Sequence, residues 1–154
     1  MSGCKTGSCL CGAVRFELAE APKTYGACHC AMCRKFSGGI EFGLEVPPDG
    51  ASWTGEENIG VYKSSDWAER GFCKICGSSL FWRLTAPGPM QGLLSLSAGS
   101  LDSFDGLEFT TEVYIDMKPD SHAFAGTRKR MTEAEVMEMV ASMENATPEG
   151  SAAP

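Results

Sequence analysis

The sequence predicts a mainly β fold of short antiparallel sheets with a single helix at its C-terminal end. Three observations carry this expectation. Apolar residues alternate with polar ones in several short stretches, as half-buried strands require. Eighteen glycines and eight prolines punctuate those stretches. Only the segment after Met131 shows the 3.6-residue apolar repeat of a helix.

In chain order, Val14, Phe16 and Leu18 alternate with Arg15 and Glu17 and form the first strand, which Ala21-Pro22 ends. Residues 24–27 give a short strand running into Cys28. Ser37-Gly38-Gly39 is a turn, and Ile40, Phe42, Leu44 and Val46 then alternate with Glu41, Gly43 and Glu45 until Pro47-Pro48-Asp49-Gly50 stops them. Residues 59–62 and 80–84 read as strands, with Arg70-Gly71-Phe72 leading into another cysteine pair between them. Pro87-Gly88-Pro89 is a break, followed by strands over 93–98 and 112–117 joined by Gly99-Ser100-Leu101-Asp102. Thr132 and Glu135 have the spacing of a capping box, and Val136, Met139, Val140 and Met143 fall on one stripe. That stripe is read as packing against the body of the molecule. Residues 1–144 are expected to form one domain, and 145–154, poor in anything to bury, a disordered tail.

The chain has 154 residues and a formal net charge of -7. The acidic balance argues against a nucleic-acid partner, which needs clustered Lys and Arg. Arg128-Lys129-Arg130 is too short to reverse it and reads as a solvated loop before the helix. No apolar run approaches the ~18 residues of a membrane span. The first residues lack the apolar stretch of a secretory signal, so a reducing cytoplasm is the expected compartment.

Eight cysteines are many for this length. Seven fall in tight clusters: Cys9-Leu10-Cys11, Cys28-His29-Cys30-Ala31-Met32-Cys33 and Cys73-Lys74-Ile75-Cys76. In a reducing compartment such spacing points to metal rather than disulfides. Two cysteines one or two residues apart can share an ion across a tight turn, and two such pairs complete the four thiolates of structural zinc. Cys9/Cys11 and Cys73/Cys76 are two such pairs, each followed by a glycine, Gly12 or Gly77, that suits the turn. A zinc between them would staple the N-terminal strand to the middle of the chain. Cys28, Cys30 and Cys33 are left as a second set, and three protein ligands with one open position are the pattern of a reactive zinc. Four thiolates give zinc a net charge of -2 and a structural role. Three give -1 and room for a substrate thiol to bind, ionise and become a nucleophile. Spacing alone leaves the partition open, since Cys33 can join another set and Cys4, otherwise a free thiol, can serve as a fourth ligand.

The combined pattern resembles one family. Cys9-x-Cys11-Gly12, Cys28-His29-Cys30-x-x-Cys33-Arg34-Lys35, Arg70-x-Phe72-Cys73-x-x-Cys76-Gly77, Gly99-Ser100-Leu101-Asp102 and Glu112-Val113-Tyr114-Ile115-Asp116-x-Lys118-Pro119 together resemble the glutathione-dependent formaldehyde-activating enzymes. The resemblance spans roughly residues 6–125. It implies a zinc-stapled, β-tent-like architecture. It implies two zinc ions, a structural one on Cys9, Cys11, Cys73 and Cys76 and an exchangeable, catalytic one on Cys28, Cys30 and Cys33. The activity it implies is that of a carbon–sulfur lyase, joining a small thiol such as glutathione to an aldehyde, formaldehyde, or cleaving the adduct. Related domains also act in protein interaction, so a non-catalytic zinc module is an alternative. A redox or metal sensor built on Cys28, Cys30 and Cys33 is another.

Of the remaining residues, His29 lies between two ligands and is read as supporting the site rather than shuttling protons. His122 is read as structural. Arg34 and Lys35 are placed either as solvated charge or as attraction for a carboxylate-bearing substrate. Arg70 is expected to meet a carboxylate or to hold a thiolate by hydrogen bonds. Trp53, Trp67 and Trp82 are read as core or pocket wall, and Asp102 as a turn cap.

Overall fold

The computed structural model describes residues 4–145. The mainly β expectation holds, with two sheets. The smaller is β1 (Thr6–Ser8), β2 (Arg15–Leu18) and β5 (Ala51–Thr54), in the order β1-β2-β5. The larger has eight strands in the order β11-β10-β3-β4-β9-β8-β7-β6. Its members are β3 (Thr24–Cys28), β4 (Glu41–Val46), β6 (Ile59–Lys63), β7 (Ala68–Cys73), β8 (Ser79–Leu84), β9 (Leu94–Ser97), β10 (Glu108–Val113) and β11 (Lys129–Met131). Most neighbours are antiparallel, but β10 runs parallel to both β3 and β11.

The core follows from the alternation. Phe16 and Leu18 of β2 point inward and meet Leu44 and Val46 of β4, Phe81 of β8 and Leu94 and Leu96 of β9. Trp53 closes this layer with its ring centroid 5.3 Å from Phe16 and 5.4 Å from Phe81, so it is a core residue.

Cross-strand partners share a face of a sheet. Cys28 is opposite Glu41, Trp82 opposite Arg70, and Arg70 opposite Tyr62. The alternate positions of the large sheet thus carry Cys28, Glu41, Ser97, Arg70 and Tyr62 on the face away from this core. A short helix, α1 (Ala31–Ser37), continues from Cys28-His29-Cys30 and is ended by Gly38. The residues expected to form a simple turn at 37–39 are its C-cap.

Several expectations need correction. The strand drawn over 112–117 stops at Val113, because Tyr114 turns into the left-handed region (φ 57°) and Ile115–Met117 form a 3₁₀ turn. Arg128-Lys129-Arg130 is not a solvated loop. Lys129 and Arg130 lie in β11, and the Arg128 side chain is buried against Phe109, its guanidinium 4.1 Å from the ring. The C-terminal helix, α2 (Glu133–Asn145), starts on the expected capping box, with the Glu135 N–H on Thr132 Oγ1 at 3.3 Å and the Thr132 N–H on Glu135 Oε2 at 2.7 Å. Its apolar stripe, however, is only partly covered: Val136 is half-buried, but Met139 is 40% exposed and Met143 51%. The tail expected at 145–154 lies, beyond Asn145, outside the described residues. No described helix is long and apolar enough to cross a membrane.

Candidate metal centres and the site around them

Local backbone geometry brings the first two cysteine pairs together. Cys9 sits in a tight turn in which the Gly12 N–H bonds to the Cys9 carbonyl at 3.1 Å, and the Val14 N–H points at Cys9 Sγ at 3.3 Å. Cys73 ends β7 in a matching turn, with the Gly77 N–H on its carbonyl at 2.9 Å and the Ile75 N–H on its Sγ at 3.4 Å. Gly12 (φ 79°) and Gly77 (φ 77°) adopt the left-handed backbone that these turns need and that a Cβ would strain. A hydrogen bond from the Leu10 N–H to Ser78 Oγ at 3.0 Å ties one turn to the other.

The four sulfurs of Cys9, Cys11, Cys73 and Cys76 lie within 4.8 Å of one another. Cys9 and Cys11 are 3.6 Å apart, and Cys11 and Cys73 3.8 Å. A tetrahedron of thiolates with metal–sulfur bonds near 2.3 Å has edges of about 3.8 Å, so this set fits a four-coordinate ion. The thiols are uneven as they stand. Hydrogen bonds from the Ser78 hydroxyl and backbone draw Cys76 down to about 5. Cys11 has an Ala13 backbone contact that favours its thiolate, but burial and the neighbouring sulfurs push it up to about 11. Four crowded thiols cannot all ionise without a cation between them.

The second set is built where β3 passes into α1. Cys28 ends β3, and Cys30 is the N-cap of α1, its Sγ accepting the Cys33 N–H at 3.3 Å. Cys33 follows one turn into the helix. The sulfurs of Cys28, Cys30 and Cys33 also lie within 4.8 Å of one another, and Cys4 joins neither set. Contacts from Cys28 and Cys33 draw Cys30 down to about 2, while contacts with Cys30 and then Cys33 push Cys28 up. The crowded thiols oppose one another's ionisation, and a cation among them would favour the thiolate form of all three. The donor set fits a metal with three protein ligands.

Arg70 meets this set from β7. It is buried, and both terminal nitrogens lie 3.6 Å from Cys33 Sγ. Its guanidinium lies 5.5 Å from the Phe36 ring of α1. Of the two roles open to Arg70 from sequence, the geometry supports holding a thiolate. Glu41 stands on the same face, opposite Cys28; burial pushes its carboxyl up, against hydrogen bonds from Ser97 (2.6 Å) and Ser37 and the charge of Arg70.

His29 takes the opposite face. It is buried, and its Nε2 lies 2.9 Å from Glu112 Oε1 of β10, while its N–H donates to the Val113 carbonyl at 3.1 Å. Glu112 Oε2 accepts from Arg128 at 2.8 Å, and Arg130 Nε lies 3.5 Å away. Burial opposes the Glu112 carboxylate, but the bonds from Arg128 and His29 and the charge of Arg130 hold it below the usual carboxylate range. His29 therefore braces the Cys28–Cys30 turn and does not face the sulfurs.

Tyr114, next along from the strand that pairs with Cys28, is half-buried; burial and then the charges of Cys28 and Cys30 push its hydroxyl up. Sequence reasoning missed the roles of Glu41, Glu112, Tyr114 and Arg128. Only an acidic residue on the alternation of a strand hinted at the first two. His122 is exposed, as are Arg34 and Lys35 in the last turns of α1. Trp67 is 41% exposed and edge-on to Trp82 at 5.9 Å. Asp102 anchors β1, its Oδ2 accepting from Thr6 Oγ1 at 2.6 Å.

Fold and site together define a β protein organised around two thiol groups able to hold metal ions, one with four sulfurs and one with three. The chain belongs to the glutathione-dependent formaldehyde-activating enzyme family, whose sequence model matches residues 4–117. Membership places it among enzymes. It is similar to an uncharacterized lyase of Schizosaccharomyces pombe, 34% identical over 137 residues that cover 87% of this chain and 95% of the relative. A Halomonas elongata protein carrying the provisional name glutathione-dependent formaldehyde-activating enzyme is 34% identical over 83 residues, 49% of this chain and 53% of that protein.

Proposed function

We propose that the chain is a zinc-dependent carbon–sulfur lyase acting on the adduct of a small thiol, such as glutathione, with an aldehyde, such as formaldehyde. The observation that carries this reading is a three-thiol set, Cys28, Cys30 and Cys33, standing apart from a complete four-thiol set. In this reading Cys9, Cys11, Cys73 and Cys76 hold a structural zinc within a unit spanning residues 1–144, in a reducing cytoplasm that keeps the thiols free. Zinc held by Cys28, Cys30 and Cys33 would supply the Lewis acidity that favours an ionised substrate thiol.

The reaction needs an S–C bond to form or break. In the forward direction the thiol sulfur attacks the carbonyl carbon, the π pair moves to oxygen, and the thiol proton ends on that oxygen. The chain's part in this is positional and electrostatic. Arg70 places a fixed positive charge at Cys33 and offsets the excess negative charge of three thiolates. The Cys33 N–H holds Cys30 Sγ, so that sulfur is oriented by its own helix. The His29–Glu112–Arg128 chain fixes the turn bearing Cys28 and Cys30 from behind. The family name and the lyase name of the fission-yeast relative support the class of reaction.

The test is Cys30→Ser. Serine is a good N-cap, so α1 should survive. Turnover of glutathione and formaldehyde, followed by NMR, should vanish while the circular dichroism spectrum stays that of the wild type. Equal loss of structure and turnover would count against a catalytic role. One observation favours a second reading: the partly exposed apolar stripe of α2, with Met139, Val140 and Met143, suits a protein-interaction module. Intact metal with no turnover across a panel of thiols and aldehydes would favour that module.

A further inference from the structure

A shallow groove of about 440 Å³ runs along the seam between α1 and the end of the large sheet, lined by Phe36, Phe72 and Tyr62 with Val61, Gly77 and Ser79. It carries no charged side chain. Phe36 lies one helical turn beyond Cys33, on the side of α1 that faces β7, where Arg70 touches both. Phe72 is two residues from Arg70 on β7 and meets Phe36 with ring centroids 6.4 Å apart. The outer end of its ring covers Gly60, where a Cβ would sit 2.5 Å from the ring. Glycine at 60 thus keeps the floor of the groove open. Tyr62 stands at the rim, 63% exposed.

The volume suits a small organic group. The outer edge of β6 is also blunted for strand pairing, because it ends in Lys63, ion-paired to Asp66 at 3.4 Å. A groove that is apolar, uncharged and one turn from a metal-ligating thiol is suited to the part of a substrate that hangs off the reacting carbon.

We infer that this groove binds an apolar substituent on the aldehyde carbon, so that the adduct handled here derives from an aldehyde carrying an alkyl or aryl group and not from formaldehyde alone. The inference rests on the thiol–aldehyde reading above and deepens it.

The experiment uses the full metal-containing chain and two inert thioethers, S-methylglutathione and S-benzylglutathione, with dissociation constants from titration calorimetry. The benzyl compound should bind about tenfold more tightly or better, since each buried methylene equivalent is worth a factor of about four. Tyr62→Ser, at an exposed rim position, should remove most of that advantage and leave the methyl compound unchanged. Gly60→Ala should do the same by pushing the Phe72 ring into the groove. Equal affinities for the two thioethers would overturn the groove assignment while leaving the thiol reading standing. An advantage that survives both substitutions would overturn it by locating the apolar group elsewhere. Failure of both compounds to bind would remove the glutathione reading and the groove assignment with it.

Discussion

Arg70 shows how much one side chain can decide at this site. A buried guanidinium must be paired, and the two nitrogens at Cys33 Sγ provide the pairing. Arg70→Met should therefore weaken metal at the three-cysteine set by about 10- to 100-fold, as loss of a supporting group around metal ligands does. Competition with a chromogenic chelator measures this, and unchanged affinity would refute the role. Glu112 plays the matching part on the other face. Glu112→Gln should cost about 3 kcal/mol at neutral pH, because Arg128 keeps its burial and loses its charge partner. Glu112 is held below the usual carboxylate range, so its contribution is present above its unfolded value and is lost as pH falls through the folded one. The stability gap between wild type and Glu112→Gln should thus narrow on acidification below about pH 4.3. Urea denaturation of both proteins across that range checks the sign, and a constant gap would contradict it.

Elements differ in how plainly the sequence announced them. The strands β2 and β4 stood out because core positions alternate with more exposed ones, which writes a period of two into the chain, while β3, β6 and β8 read as short strands without that alternation. The three-residue strands β1 and β11 are too short to show any period. Likewise α1, of seven residues and none buried, has no apolar stripe; its capping group is a cysteine already read as a ligand. The end of β10 was missed for another reason. Tyr114 takes a left-handed backbone that its residue type does not advertise, so an apolar run continuing to Met117 looked like more strand. The opposite error was made on α2, where a correct period led to an incorrect burial. Its stripe is real, but beyond the half-buried Val136 its residues stay largely exposed among the described residues. Replacing Met139 and Met143 with serine should accordingly change stability by no more than about 0.5 kcal/mol each in chemical denaturation. A loss of about 2 kcal/mol or more would mean that the stripe is packed in solution.

At the scale of the whole molecule, the proposed function divides the work of holding and reacting between the two thiol groups. The four-cysteine group joins the turn before β2 to the turn after β7, two segments more than sixty positions apart, and so closes the smaller sheet onto the larger. Its membership was legible because paired cysteines in tight turns leave few other options. The three-cysteine group was legible by remainder, but its surroundings were not. Glu41 stands beside it from the neighbouring β4, Arg70 meets its Cys33 from the distant β7, and Glu112 of β10 braces it from behind through His29, all contacts that only the topology creates. Metal should follow this division. A strong chelator should strip the three-cysteine group first with the sheets intact, and unfolding should come only when the four-cysteine group is emptied. The most direct measurement is zinc per chain, by elemental analysis, in freshly purified wild type and in Cys30→Ser. The account predicts about two ions in the wild type and about one in the variant, with identical circular dichroism. About one in both proteins would contradict it, because the three-cysteine group would then hold no metal with which to act.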